Sequence, residues 1–289
     1  MTARIGLRKR LAAAAATVSA VAALMVGATP GTSYAATPSL RAFAISADGT
    51  RMATFTTDRP DNLDWFRIIT GLQGDTTVKG IDFRVQNGLM YAVGNAGGIY
   101  TVQTPPQVPE PTLTKVSQLS VPLQGTNIGV DFNPAADRLR IVSDTGQNLS
   151  HNLANSQTTT QTPLTTDGAS THGVSAVAYT NNDLNGATNT TLFAVGTNTD
   201  QLLIQSPPAN GLLVPVGSLG ADAPPNSGLD IFSDLSAGKT ISVTGFATFP
   251  ASNNTASFNM VNLFTGELTY IGTFPFSISD VAVALDPNP

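Results

Sequence analysis

The chain contains no cysteine, which excludes disulfides, zinc–thiolate centres, thiol enzymes and lipid anchors attached through Cys. It has two histidines, one tryptophan and only 11% charged residues. No nucleophile elbow, zinc-protease helix or phosphate-binding loop is present in the sequence. We therefore expect no catalytic set, with His151 and His172 as surface residues beside turns and Trp65 as packing on an outer strand.

The first 35 residues have the composition of a secretory signal peptide. Four basic residues, Arg4, Arg8, Lys9 and Arg10, precede an Ala-rich apolar run from residue 11 to 28. Small residues at Ser33 and Ala35 then predict cleavage before Ala36. The alternative is a retained membrane anchor, since the apolar run is long enough to span a bilayer. We expect export to the extracellular space or cell envelope, with residues 36–289 as one domain.

Removal of this segment makes the chain strongly acidic. The whole chain carries 14 basic and 19 acidic residues, and four of the basic ones lie in residues 1–35, which leaves a net charge near −9. Phosphate backbones and anionic lipids repel such a protein. We therefore expect no nucleic-acid partner, no membrane insertion after cleavage, and a monomer.

A short phrase recurs along the chain. It reads Gly-Ile-Asp-Phe at residues 80–83 and Gly-Val-Asp-Phe at 129–132, with weaker echoes at 173–176, 228–231 and 278–281. The third position of each phrase is separated from the next by about 44 to 55 residues, the period of propeller blades in all-β chains. Apolar, β-branched runs between Gly, Asn and Pro turns predict four strands in each unit.

The two ends of the chain complete one unit together. Strands at residues 40–45, 51–56 and 65–69 lack a leading Gly-x-Asp strand, and residues 279–285 supply one. We therefore predict an all-β fold, a five-bladed propeller closed when the C-terminal strand joins the N-terminal blade, which removes two sheet edges. The alternatives are six blades, a β-sandwich or a β-solenoid.

The segment Gly129–Leu149, with its Asp-Arg-Leu-Arg and Gly-Gln-Asn elements, is the most patterned part of the chain. Together with residues 78–84 and 178–181, it resembles the bacterial family catalogued as domain of unknown function 4394. The resemblance spans residues 40–286 and implies an exported, propeller-like domain. It implies no activity and no catalytic residues. Ser175 departs from the pattern, because the other repeats have Asp at that position.

The repeated aspartates are the first candidate site: Asp82, Asp131, Asp230 and Asp280, with Ser175 as the fifth member. If each begins the innermost strand of its blade, the carboxylates surround the opening of the central channel. Such carboxylates could coordinate a hard cation such as Ca²⁺. The alternative is structural, in that each carboxylate accepts backbone amides of a neighbouring turn and locks the blades together. We expect no cofactor other than this Ca²⁺.

A second candidate site lies in the third repeat, where guanidinium and amide groups could bind a carboxylate or sugar hydroxyls. Its members are Arg138, Arg140, Asp144, Gln147 and Asn148. The alternative is inter-blade salt bridging, for example from Arg138 to Asp131 or Asp137. Residues 181–186 also echo a calcium loop, but no Glu follows at the required spacing, and a hairpin turn is the preferred interpretation.

Two functions lead, and a third possibility is a purely structural component of the envelope or of a biofilm. The first is a non-catalytic exported propeller that binds a protein, glycan or cell-surface component through loops at one end. The second is a metal-dependent hydrolase or lactonase that uses the aspartates and a metal-bound water.

Overall fold

Five sheets form a β-propeller in the computed structural model, which describes residues 37–287. Each sheet has four antiparallel strands at its centre, and the sheet of blade 4 carries two further short strands at its outer edge, which makes six. The all-β prediction and the number of blades are confirmed. The expected signal peptide at residues 1–35 lies outside the described residues. Within residues 37–287 the one helix is a short 3-10 turn, Pro208–Asn210, and no helix is long and apolar enough to cross a membrane.

The first three blades follow the repeats in order. Blade 1 contains β1 (Arg41–Ser46), β2 (Arg51–Thr56) and β3 (Trp65–Ile68). Blade 2 contains β4 (Val78–Arg84), β5 (Leu89–Gly94), β6 (Gly98–Gln103) and β7 (Thr112–Gln118). Blade 3 contains β8 (Ile128–Asn133), β9 (Arg138–Ser143), β10 (Asn148–Asn152) and β11 (Gln157–Thr160).

Two short strands, β12 (Thr165–Thr166) and β13 (Ala169–Ser170), follow in the connection to the next blade. Blade 4 contains β14 (Val174–Tyr179), β15 (Leu192–Gly196), β16 (Gln201–Gln205) and β17 (Leu212–Ser218). Blade 5 contains β18 (Gly228–Ser236), β19 (Lys239–Pro250), β20 (Ala256–Val261) and β21 (Leu268–Phe274), and the last strand is β22 (Ile278–Val283).

The last strand closes the ring. Strand β22 pairs antiparallel with β1, with Ala42 opposite Val283 and Ile45 opposite Asp280. It is therefore the innermost strand of blade 1, in the sheet order β22-β1-β2-β3. The predicted closure between the C-terminal strand and the N-terminal blade is confirmed.

The strands depart from the regular pattern of the blades in two places. Strands β18 and β19 form a long hairpin, because the ladder continues through residues 234–236, of which Asp234 and Ser236 are polar. The outer strand of blade 3, β11, ends at Thr160. The chain then forms β12, which pairs in parallel with β17 and adds an edge to blade 4.

The hydrophobic core is divided among the five junctions between blades, since each sheet packs its faces against two neighbours. Apolar side chains from blades 1 and 5 form one cluster, which includes Phe55, Phe246, Phe258 and Phe274. Four further clusters occupy the other junctions. Two of the five innermost strands, β14 and β22, are consequently buried along their whole length.

The glycine of the repeated phrase has a packing role. A Cβ at Gly129 would lie 2.8 Å from the Cα of Ala176 on the next inner strand. The Cβ positions of Gly80 and Gly228 would meet Val130 at 2.5 Å and Asp280 at 2.7 Å. Real Cβ atoms do not approach other atoms this closely, so glycine at these positions lets neighbouring inner strands converge around the axis.

The ring has two faces, which we define by the direction of the inner strands. The upper face is the one at which inner strands begin, and it carries the β1–β2 and β19–β20 loops. The lower face is the one at which they end, and it carries the turns β4–β5 and β8–β9 and the long β14–β15 loop, residues 180–191.

Candidate functional site

The four repeated aspartates lie inside the ring rather than at its opening. Each is preceded by two to four residues of its own inner strand, and their exposed fractions are 4% to 9%. The condition that each aspartate begins its innermost strand is not met, because the inner strands begin at the phrase or up to two residues before it. We call Asp82, Asp131, Asp230 and Asp280 the aspartate ring.

Each member of the aspartate ring accepts a hydrogen bond from a backbone amide of a neighbouring blade. The four bonds are Ile81 N to Asp280 Oδ2 (2.9 Å), Phe132 N to Asp82 Oδ2 (2.7 Å), Tyr179 N to Asp131 Oδ1 (3.1 Å) and Val283 N to Asp230 Oδ2 (2.5 Å). At the remaining junction the hydroxyl of Ser175 donates to the carbonyl of Ser227 at 3.3 Å. One side chain of the repeat thus links every pair of adjacent blades.

Burial dominates the electrostatics of the aspartate ring. Loss of solvent raises the pKa of all four carboxyl groups, and it raises that of Asp230 to about 6. Neighbouring carboxylates add to the effect of burial on the pKa of Asp82 and Asp131, because like charges disfavour ionisation. Backbone amides oppose these increases without cancelling them.

Three members of the ring could also hold an ion. One oxygen each of Asp82, Asp131 and Asp230 lies within 4.8 Å of the others, whereas Asp280 is not part of this group. Carboxylate oxygens are suitable ligands for Ca²⁺. The same carboxylates already accept the inter-blade amides, so any ion would share them with these hydrogen bonds.

The Arg-rich candidate site of blade 3 is only partly assembled. The structure brings Arg140 and Asn148 together, with 2.6 Å between Arg140 Nη1 and Asn148 Oδ1, and the same guanidinium contacts Gln161 Oε1. Arg140 is 5% exposed, and among residues 37–287 no carboxylate forms an ion pair with it. Its hydrogen bonds go to neutral groups.

The other members of that candidate site make separate local contacts, and two of them form hydrogen bonds to neighbouring loops. Asp144 accepts the amides of Thr126 and Asn127, and Gln147 bridges Gln124 N and Pro122 O. Arg138 donates only to nearby carbonyls. The expected pairing of Arg138 with Asp131 or Asp137 is wrong.

Asp137 pairs instead with Arg84 of blade 2, with 2.6 Å between the charged atoms. This ion pair joins the lower-face turns of blades 2 and 3, so inter-blade salt bridging does occur, with a different arginine.

His151 is fully buried, contrary to the expectation of a surface residue. Its ring lies between the hydroxyls of Ser117 on β7 and Thr158 on β11, each at 3.0 Å. Burial lowers its pKa, which favours the neutral imidazole. The partner on β7 belongs to another blade, so the sequence alone did not indicate this environment.

A cleft on the upper face, which we call the seam cleft, was not predicted from the sequence. It has a volume of about 560 Å³ and lies where blades 5 and 1 meet. Phe276 stacks on Phe66 with 4.2 Å between ring centroids, and the Arg51 guanidinium lies 5.6 Å from the Phe66 centroid. Phe276 is 37% exposed. Phe276 is far from Arg51 and Phe66 in sequence and meets them only through ring closure.

The seam cleft also presents charged groups of both signs. In the part of the chain that the structure describes, the Arg51 guanidinium makes no hydrogen bond and no ion pair. Asp48 accepts from Ser46 Oγ and Thr50 N. Partial burial raises the pKa of Asp48. These hydrogen bonds and the charge of Arg51 outweigh that increase, so the pKa of Asp48 lies below its usual value.

A second cavity, which we call the lower cavity, has a volume of about 290 Å³ and lies on the opposite face. It is enclosed by the turns of blades 2 and 3 and by the β14–β15 loop. Its walls include Gln86, Pro134, Asp183, Thr188 and Thr190. Asp183 Oδ1 accepts Asn185 N within the loop, so the expected turn forms and its oxygens serve backbone amides.

No curated protein matches the chain. A family model described as "Domain of unknown function (DUF4394)" matches residues 51–283.

Solved structures with a similar fold include a glutaminyl cyclase of Myxococcus xanthus (11% identity, 83% of this chain and 96% of that chain, TM-score 0.43). Another is an auxiliary nutrient binding protein of Bacteroides thetaiotaomicron (12% identity, 76% of this chain and 54% of that chain, TM-score 0.43). A third is a protein of unknown function from the same organism (11% identity, 86% of this chain and 67% of that chain, TM-score 0.48). At these identities the likeness concerns the fold alone.

Proposed function

This chain belongs to the DUF4394 family, and from that premise we propose that it is an exported, non-catalytic binding propeller whose ligand is a neutral glycan. The family carries no activity that could be transferred, so the proposal rests on the chemistry of the site. The sequence leaves a protein, a glycan or a cell-surface component as the ligand, and the groups in the seam cleft favour a glycan.

The observation that carries the proposal is the combination of groups in the seam cleft. Phe276 offers an exposed aromatic ring, against which the C–H groups of a sugar can pack. The guanidinium of Arg51 supplies donors without a partner, and the carboxylate of Asp48 supplies an acceptor. Sugar hydroxyls both donate and accept, so they complement such a pair.

Charge supports a neutral glycan over an acidic one. Arg51 and Asp48 cancel each other within the cleft, and the chain as a whole carries net negative charge. An acidic polysaccharide would therefore meet repulsion during its approach.

The aspartate ring supports a non-catalytic role. Its carboxylates are buried and hydrogen-bonded to backbone amides, which fits a structural function. His151 is likewise enclosed between two hydroxyls.

The proposal is tested by calorimetric titration of the protein with cellotriose, mannotriose and maltotriose, with trigalacturonate as the acidic comparison. We expect at least one neutral trisaccharide to bind, and the substitutions Arg51→Gln and Phe276→Ala each to weaken it at least about tenfold, which corresponds to about 1.4 kcal/mol. Arg41→Gln and Phe264→Ala are matched controls, since both residues are exposed away from the cleft.

Two results would contradict the proposal. One is that none of the neutral trisaccharides binds, which would direct attention to a protein or another cell-surface component. The other is equal binding by the wild type and both cleft variants, which would move the glycan to another surface.

The second candidate function is a metal-dependent hydrolase or lactonase, favoured by the proximity of three carboxylate oxygens in the aspartate ring. Bound Ca²⁺ would stabilise the fold, because ligand at about 100 times its Kd contributes roughly 2.7 kcal/mol. For a domain of this size, the thermal midpoint would rise by about 5–10 °C between EDTA and millimolar Ca²⁺. We expect no such rise. A rise of this size would indicate that the aspartate ring binds a metal ion and does not only link the blades.

A further inference from the structure

We propose that the lower cavity is a second glycan site, which takes a single neutral sugar residue. The proposal rests on the proposed function for the class of ligand only, because the site itself is carried by different residues on the opposite face of the ring.

The first observation is a pair of buried polar atoms without partners. The side-chain oxygen atoms Gln86 Oε1 and Thr190 Oγ1 are buried and make no hydrogen bond with the described residues. Both residues line the lower cavity. Leaving a buried acceptor unpaired is unfavourable, and such atoms in a native fold are explained by a bound partner or water.

The second observation is that the cavity is preformed. Gln86 Nε2 donates to Pro134 O at 2.7 Å, which fixes the amide so that its oxygen remains free. The β14–β15 loop is held on blade 5, because Thr240 N and Oγ1 donate to Asp183 Oδ2 and Ser233 Oγ accepts Asn182 N. A ligand would therefore enter without the entropic cost of ordering a loop.

The third observation concerns charge and size. Both oxygens of Asp183 already accept hydrogen bonds, and none of the cavity's wall residues is Lys or Arg. The cavity therefore favours a neutral ligand over an ion. Its volume of about 290 Å³ is at the lower end of small-molecule pockets, which suits one sugar ring rather than a chain.

Sugar hydroxyls fit the unpaired groups. One hydroxyl can donate to Gln86 Oε1, and another can exchange a hydrogen bond with Thr190 Oγ1 in either direction. Pro134, Ala135 and Leu184 offer apolar surface for the C–H groups of the ring. With the seam cleft on the upper face, the propeller would be bivalent and could join two glycan chains.

The experiment is saturation-transfer NMR with the methyl glycosides of glucose, galactose, mannose and N-acetylglucosamine. It is carried out on the Arg51→Gln protein, in which the seam cleft is impaired. We expect at least one glycoside to receive saturation, and this signal to disappear when Thr190→Val or Gln86→Leu is added. Thr159→Val is the matched control, because Thr159 is exposed on the outer strand β11.

The thermal midpoint separates binding from folding. Thr190→Val replaces an unpaired hydroxyl with a methyl group of similar size, so we expect a midpoint no lower than that of its parent. Persistence of the signal in both cavity variants, or its absence from the Arg51→Gln protein with all four glycosides, would overturn the lower site. Trisaccharide binding at the seam cleft would be unaffected by either result.

Discussion

The aspartate ring predicts an unusual dependence of stability on pH. Burial raises the pKa of Asp230 from 3.8 to about 6. A tenfold change in a dissociation constant corresponds to about 1.4 kcal/mol, so this group alone accounts for about 3 kcal/mol of stability between its two limits, below pH 3.8 and above pH 6. Since the folded-state pKa is the higher one, its contribution is fully present below pH 3.8 and is lost as the pH rises through 6.

Other groups act in known directions. The pKa values of Asp82, Asp131 and Asp280 are also raised by burial, so they add to the loss as pH increases. Burial lowers the pKa of His151 from 6.5, so its contribution is lost as the pH falls below that value and opposes the trend. About 1 kcal/mol of the Asp230 contribution is already lost at pH 4.5, so we expect the free energy of unfolding to fall by about 2 kcal/mol from this group between pH 4.5 and 7.5.

Asp230→Asn isolates the effect, because Asn does not titrate and has nearly the same shape. Both oxygens of Asp230 accept backbone amides, from Ile231 and Val283, and Asn retains one acceptor. At pH 4.5 the missing hydrogen bond costs the variant about 1 kcal/mol, and the wild type has already lost about as much of its Asp230 contribution, so the two proteins should be about equally stable. At pH 7.5 it should be more stable than the wild type by about 2 kcal/mol, since it has no charge to bury.

The assay is urea denaturation in EDTA at several pH values between 4.5 and 7.5, with Asp222→Asn as a control at an exposed position. The reasoning would be refuted if wild-type stability increased over this range. It would also be refuted if the Asp230→Asn protein followed the same pH dependence as the wild type.

Two further substitutions test the contacts between and within blades. Asp82→Ala leaves the buried amide of Phe132 without its acceptor, so the free energy of unfolding should fall by roughly 2 kcal/mol. Urea denaturation at pH 5 measures this loss, and an unchanged midpoint would contradict the structural role of the carboxylate. Arg140→Ala leaves the buried Asn148 Oδ1 without its donor and should lower the free energy of unfolding by roughly 2–4 kcal/mol. Arg138→Ala removes only contacts to nearby carbonyls and should change it by less than about 0.5 kcal/mol. Equal effects of the two substitutions would contradict this difference in environment.

The architecture was accessible from the sequence because similar requirements recur from blade to blade. At three repeats a glycine is needed where inner strands approach each other, and at four repeats an aspartate at the third position of the phrase accepts the amide of the next blade. Gly129 and Asp131 illustrate both needs. The same periodicity, together with the missing strand at the N-terminus, predicted the pairing of β22 with β1.

Features that depend on contacts between distant segments could not be predicted in this way. Phe66 and Phe276 form the seam cleft only after the ring closes, and each has an ordinary local sequence. His151 is buried because a strand of blade 2 covers it. The extension of β18 is polar in sequence, and it is stabilised by pairing with β19 rather than by an apolar pattern.

Closure of the ring by hydrogen bonds rather than by a covalent link makes blade 1 a reversible joint. Opening there would require β22 to leave β1 and would break the contacts of Asp280 and Val283 with blades 2 and 5. The seam cleft spans this joint, because Asn254 comes from blade 5, Arg51 from blade 1 and Phe276 from the segment that leads into β22. A ligand held by all three would bridge the joint, so occupancy should slow the opening of the ring and lengthen the lifetime of the folded protein.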